Sequence, residues 1–271
     1  MTGQGDPEDD TVRRKNMTKV EKRNEFLASE VRGLVLEIGY AECAVVEVAT
    51  DSVTVEAVLD AENADKYFCA LENGVLHVDT SDANKKISLT DKNRSSLEKQ
   101  EVTIYVPCGM KLDTLDLSVG AGTARLKNVS TVYENADIEV GAGKLEAATL
   151  TVEKHIDIEV GAGNASVVNL TAATADIDCG VGKMAVKGAV AGDCSIECGV
   201  GNIEMYLDAA ESDYNYDIDC GIGSVYINGS KRGGLFASSA DMMHADAKGT
   251  VKLACGVGKI ELITQKRLAA E

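Results

Sequence analysis

The stretch ADIEVGAGKLEA (residues 136–147), followed by IDIEVGAGNASV (156–167) and ADIDCGVGKMAV (175–186), decides how this chain folds. In each copy an alternating apolar–acidic segment enters Gly-x-Gly and leaves into a second alternating segment. Working outward, four more copies appear: LDLSVGAGTARL (115–126), CSIECGVGNIEM (194–205), YDIDCGIGSVYI (216–227) and VKLACGVGKIEL (251–262). Their first glycines are Gly120, Gly141, Gly161, Gly180, Gly199, Gly221 and Gly256, spaced by 21, 20, 19, 19, 22 and 35 residues. One Gly-x-Gly can arise by chance. Seven in register make a structural repeat.

Three residues before the first glycine stand Leu117, Ile138, Ile158, Ile177, Ile196, Ile218 and Leu253. Two and four residues after the second glycine stand pairs such as Leu145/Ala147, Met184/Val186, Ile203/Met205 and Ile260/Leu262. Period-two alternation turns these inward and the charged residues between them outward. A single corner of this kind cannot bury its apolar face, whereas copies stacked at the ~4.8 Å strand spacing build a continuous core. The expected fold is all-β: a right-handed parallel β-solenoid (β-helix) with turns of about 20 residues, glycine corners, and a third side in stretches such as Thr149–Val152. Glycine suits a corner through the backbone angles open to it. A β-propeller needs roughly twice this period for each blade.

The solenoid is expected over residues 29–263. Residues 29–110 form irregular first turns, in which LVLEIGYAECAVVEV (34–48) repeats the plan around Gly39. Residues 111–263 carry the regular Gly-x-Gly repeats, interrupted by a loop at about 229–249. Residues 1–28 read as a mobile polar tail and 264–271 as a C-terminal tail.

The net charge of −17 argues against nucleic acid, which needs clustered Lys and Arg. There is no Trp and only 4% aromatic residues, so Ala, Val, Ile, Leu, Met and Cys must fill the core. No run of ~18 apolar residues exists, and the N-terminus lacks the apolar segment of a signal peptide. Read alone, the chain is expected in the cytoplasm, with no membrane insertion.

The outward positions four and two residues before the first glycine form acidic columns. Asp137, Glu139, Asp157, Glu159, Asp176, Asp178, Glu197, Asp217 and Asp219 are the candidate partner or cation face. Like charges one rung apart repel by about 1 kcal/mol in water. No cofactor is expected. Hard cations such as Ca²⁺ could be attracted to such a ladder, although a flat ladder offers few of the six to eight convergent oxygens Ca²⁺ prefers.

Cys179, Cys198, Cys220 and Cys255 occupy the position where earlier copies have Val119, Val140 and Val160, so they read as buried apolar thiols. Copies with Val there carry Ala between the glycines, and copies with Cys carry Val or Ile. That covariation leads us to expect the two side chains to share one space. No GxGxxG or P-loop occurs, and the three histidines have no repeated partner.

With EVTIYVPCGMKLDTLDLSVGAG (101–122), the DIEVGAG and DIDCGVG copies, DYNYDIDCGIG (213–223) and VKLACGVGKIEL, the chain resembles a bacterial β-strand-repeat family of unknown function described as “putative adhesin”. The likeness spans roughly residues 30–263. It implies a β-helix protein of the cell envelope, with some relatives tied to envelope stress, and no catalytic residues to carry over. The expected function is a non-enzymatic binding or scaffold protein with a protein or cell-surface partner, oligomeric state open. The alternative is a parallel β-helix carbohydrate-active enzyme, a polysaccharide lyase or glycosidase.

Overall fold

In the computed structural model, which describes residues 19–61, 64–81, 100–127, 130–233 and 240–265, the repeats pair side by side in register. Ile138 aligns with Leu117 and Ile158, Ile158 with Ile177, and Ile177 with Ile196, all in parallel ladders. A slip of one residue would turn every one of these side chains to solvent, so burial holds the register. All seven core positions are at most 1% exposed.

Along one turn the inward–outward alternation is broken twice between glycine corners, at 148–149 with a change of phase and at 153–154 without one. Leu145 and Ala147 point inward, then Leu150 and Val152, then Ile156, Ile158 and Val160. Those breaks mark a buried third side at the stretch anticipated. The fold is all-β, and its only helical pieces among the described residues are single 3₁₀ turns at Ala28–Glu30 and Glu211–Asp213.

The glycine corners work differently from the expectation. Among the described glycines only Gly74, Gly109 and Gly229 have positive φ. The repeat glycines are required by close approach instead. A Cβ on Gly180 would come within 2.7 Å of the Gly161 carbonyl oxygen, and one on Gly182 would sit still closer to that of Gly163.

The proposed sharing of space between Cys and the mid-corner residue is also corrected. Cys198 is 2% exposed, whereas Val200 is 53% exposed. The thiol lies instead against the second glycine of the neighbouring rung: a Cβ at Gly258 would meet Cys198 Sγ at 2.7 Å. The corner turns the mid-glycine side chain outward, so the two side chains occupy opposite sides of the backbone. All eight cysteines are free thiols, and burial pushes Cys198 and Cys220 up to about 11.

The sheet is mixed, which narrows the expectation of a wholly parallel stack. At one end Gly33–Ile38 pairs in parallel with Lys111–Val119 and with Val75–Asp79, and Phe68–Glu72 closes that side antiparallel. Ala41–Val48 pairs in parallel with Gln100–Pro107, which is covered antiparallel by Ser52–Asp60 and then by Lys19–Leu27. Residues 19–27, expected in the tail, are therefore an ordered edge strand with alternate residues packed down. Residues 1–18 and 266–271, and most of the 81–99 segment, lie outside the described residues.

At the other end the expected loop contributes strands. Ser230–Gly233 lies antiparallel on Ser224–Ile227, and Ala240–Met242 antiparallel on Tyr214–Cys220. The rung order also departs from chain order. Gly249–Cys255 and Lys259–Thr264 insert between Cys194–Leu207 on one side and Tyr214–Ile227 on the other. Tyr214 anchors this end by donating its hydroxyl to the Val190 carbonyl, and Tyr216 donates to the Glu211 carbonyl at 2.9 Å.

Candidate binding face

Because the rungs stack in register, outward side chains of one repeat position form straight columns. Asp116, Asp137, Asp157 and Asp176 make the first, and Glu139, Glu159, Asp178 and Glu197 make the second. Seven of the nine anticipated residues are thus adjacent. Asp217 and Asp219 are cut off from them, because the inserted rung places Lys252 beside Ser195 and Asp217, and Ala254 beside Glu197 and Asp219. Sequence order alone predicted Glu197 next to Asp219.

Elsewhere on the surface several acids are neutralised. Lys144 bonds Glu146, Lys154 bonds Glu134, Lys111 lies 3.1 Å from Glu153, and Arg125 spans Glu42 at 2.9 Å and Glu146 at 3.0 Å. None of the nine candidate carboxylates has a Lys or Arg ion-pair partner among the described residues. His155 stands against the face, its Nε2 3.8 Å from Asp176 and its Nδ1 2.9 Å from the Thr174 hydroxyl.

The charge accumulates in the carboxyl groups. Partial burial, then the neighbouring carboxylates Glu197 and Asp157, push Asp178 up to about 6. Asp157 is raised by burial and by Asp137 and Asp176, and Asp116 by burial and Asp137. An added positive charge here would relieve desolvation and repulsion together.

Beside the first column runs a groove of ≈ 370 Å³, lined by Thr114, Asp116, Asn135, Asp137, His155 and Asp157 among others. Thr114, Asn135 and His155 stack as a further outward column two residues upstream of the aspartates. Extending the alternation by one more outward step would have found them. No Phe, Tyr or Trp lines this groove. Among the described residues no group of three or more His, Cys, Asp or Glu side chains is arranged to hold a metal ion. A second groove, ≈ 350 Å³, has Lys187, Tyr206 and Asp208 in its lining and so mixes both charges. No helix among the described residues is long and apolar enough to cross a membrane.

Three solved structures are similar to this chain at low identity. A “putative adhesin” from Bacteroides fragilis is 13% identical with a TM-score of 0.50, covering 91% of this chain and 98% of that one. A “putative cell adhesion protein” from Clostridium sporogenes is 14% identical with a TM-score of 0.43, covering 92% and 100%. A “putative adhesin” from Parabacteroides distasonis is 13% identical with a TM-score of 0.42, covering 90% and 97%. Among curated proteins none matches. At 13% identity the likeness to the Bacteroides fragilis structure speaks to fold alone. The family of unknown function described as Toastrack DUF4097 matches residues 32–240, well over half of the chain, and the chain belongs to it.

Proposed function

We propose that this chain is a non-enzymatic binding or scaffold module whose acidic face receives a cationic partner, a Lys- or Arg-rich protein segment. One observation carries the reading: seven carboxylates stand adjacent in two columns with no Lys or Arg ion-pair partner among the described residues. A long-lived surface of one charge focuses the local field and speeds encounter with the opposite charge. Ca²⁺ enters only as a counterion to this face. An adhesin-like or stress-related place at the cell envelope fits the same surface, as does a right-handed coil, the hand that parallel crossovers nearly always take. The carbohydrate-enzyme alternative gains no support from a groove without an aromatic platform.

The test is calorimetric titration with a Lys-rich peptide and, separately, a Glu-rich peptide of equal length. Binding of the first alone is expected, weakening as salt rises and lost in the triple variant Asp157→Asn, Glu159→Gln, Asp178→Asn. Equal binding of both peptides, or binding that survives the triple variant, overturns the reading. Cell fractionation checks the envelope assignment, and recovery only in the soluble fraction removes it.

A further inference from the structure

Four thiols line the inside of the glycine corners on four consecutive rungs. Cys179 aligns with Cys198, Cys198 with Cys255, and Cys255 with Cys220, all in parallel register. Each is at most 4% exposed. Chain order alone would have put Cys220 beside Cys198; the inserted rung puts Cys255 there and leaves the column unbroken. The sulfurs also lean the same way. A Cβ on Gly258 would lie 2.7 Å from Cys198 Sγ, and one on Gly223 would lie 2.6 Å from Cys255 Sγ. Each of these thiols rests against the second glycine of the next rung, in space that a side chain there would fill. Equal placement on successive rungs sets neighbouring sulfurs one strand spacing apart, about 4.8 Å.

That spacing selects among the things thiols do. A disulfide brings the two Cβ atoms to ~3.8 Å, so closing one here would pull two rungs together. Zinc takes four ligands converging as a tetrahedron, and a straight column does not converge. Two metal–thiolate bonds in line, each about 2.3 Å long, span about 4.6 Å and fit between neighbouring rungs as they stand. Linear two-coordinate binding is the habit of copper(I), a soft ion that thiolate ligands select. The surroundings suit a thiolate as well. The backbone N–H groups of Lys259 and Gly201 face the Cys198 sulfur. Access is short, because the residue after each thiol is an exposed glycine: Gly180, Gly199, Gly256 and Gly221.

We propose that adjacent thiols of this column bind copper(I) as linear bis-thiolates, with Cys198 and Cys255 as one such pair. Two thiols and one Cu⁺ give one anionic S–Cu–S unit and two protons released to water, with no change of oxidation state. Burial keeps the free thiols protonated, so the ion must displace their protons. The N–H groups facing Cys198 then stabilise the negative charge that remains. Val160 aligns with Cys179 and ends the column on that side. The site lies inside the corner, goes beyond the acidic-face reading and does not depend on it.

The test uses the reduced full chain under anaerobic conditions, in a Cys69→Ser/Cys108→Ser background that removes the more accessible thiols. Cu(I) is supplied as its acetonitrile complex and competed with the coloured chelator bathocuproine disulfonate. Binding is expected, with an ultraviolet sulfur-to-copper charge-transfer band and a raised melting temperature; Zn²⁺ should give no such rise. Two variants in this background then hold the number of column thiols equal and place valine as the other rungs do. Cys179→Val/Cys220→Val keeps the neighbours Cys198 and Cys255 and should bind one ion per chain. Cys179→Val/Cys255→Val keeps Cys198 and Cys220, two rungs apart, and should bind at least roughly 100-fold more weakly, since only one sulfur reaches the ion. Melting without metal shows whether each variant folds. Should either fail to, Cys179→Val/Cys198→Val serves as the neighbouring pair and Cys198→Val/Cys220→Val as the separated one. Equal affinity in the neighbouring and separated variants overturns the proposal. So does a parent chain that takes up no Cu(I), Zn²⁺ bound as tightly as Cu(I), or X-ray absorption showing nitrogen or oxygen ligands on the copper.

Discussion

The middle rungs and the two ends of this protein use the same alternating strands to different effect. From Lys111 to Leu207 each rung lies on the rung before it in the chain, in parallel and without a register shift at the core positions. Beyond Leu207 the next repeat goes to the outside, its following hairpin folds back on it antiparallel, and the last repeat enters beneath. Near the N-terminus Ser52–Asp60 and Lys19–Leu27 likewise turn antiparallel. The comparison teaches that rung shape is local while rung order is not. Any rung fits beside any other, so charge and the need to cover an open edge choose among the possible orders. The inserted rung keeps Glu197 from abutting Asp219 by placing Ala254 between them. The antiparallel strands cover edges that would otherwise template another chain.

The largest expected effect breaks the middle. Ile158→Asp buries an unpaired carboxylate between rungs, a cost of several kcal/mol, and should unfold the chain. Asp157→Asn, one residue away on the outer face, should be neutral or slightly stabilising. Thermal melts of the two variants decide, and equal melting would show the faces to be assigned wrongly.

Glycines sharpen the contrast next. In Gly182→Ala the new Cβ falls on the Gly163 carbonyl oxygen, so two rungs must separate and a loss of about 3 kcal/mol or more is expected, in the range of severe packing strain. Gly229, in the turn at the C-terminal end, has φ +76° and nothing within 4 Å of an added Cβ. Gly229→Ala should cost only the left-handed strain of about 1 kcal/mol. Urea denaturation of both variants measures the difference.

The inserted rung can be tested through its charge. Lys252→Glu would set a carboxylate directly beside Asp217 and should cost about 1 kcal/mol at low ionic strength, shrinking as salt is added. A loss of stability equal at low and high salt would mean that the insertion has nothing to do with charge.

The smallest effect is a gain. Asp178 titrates at about 6 in the fold against 3.8 for an ordinary aspartate, so its carboxyl favours folding when protonated. That contribution is fully present below pH 3.8 and lost as pH rises through about 6. Asp178→Asn should therefore stabilise the protein at pH 7 by about 1 kcal/mol after allowance for solvent screening, with the advantage vanishing below pH 4. Chemical denaturation at both pH values checks it. An unchanged advantage at the lower pH would assign the gain to packing instead of charge.

What could be read without a structure was everything that a strand dictates locally. The spacing of Leu117, Ile138, Ile158, Ile177 and their successors is enough to name the buried face, because side-chain direction in a strand depends only on parity. The same parity put Asp137 through Glu197 on one outer face, and stacking at constant register made them a column. Tertiary structure alone decided the rest. Val200 and Cys198 have the same parity, yet the corner between them reverses direction, so counting by twos placed Val200 inside when it is outside. The glycines carry no local sign of whether angle or crowding requires them, since the crowding atom belongs to a rung 19 or more residues away in sequence, as Gly163 is for Gly182. Lys19–Leu27 reads as a charged tail because an edge strand with one face in water needs few large apolar residues. The insertion of Gly249–Thr264 beneath Tyr214–Ile227 leaves no trace in the repeat itself, because near-identical rungs make nearly equal local contacts in either order and only the sum over charges and exposed edges separates them.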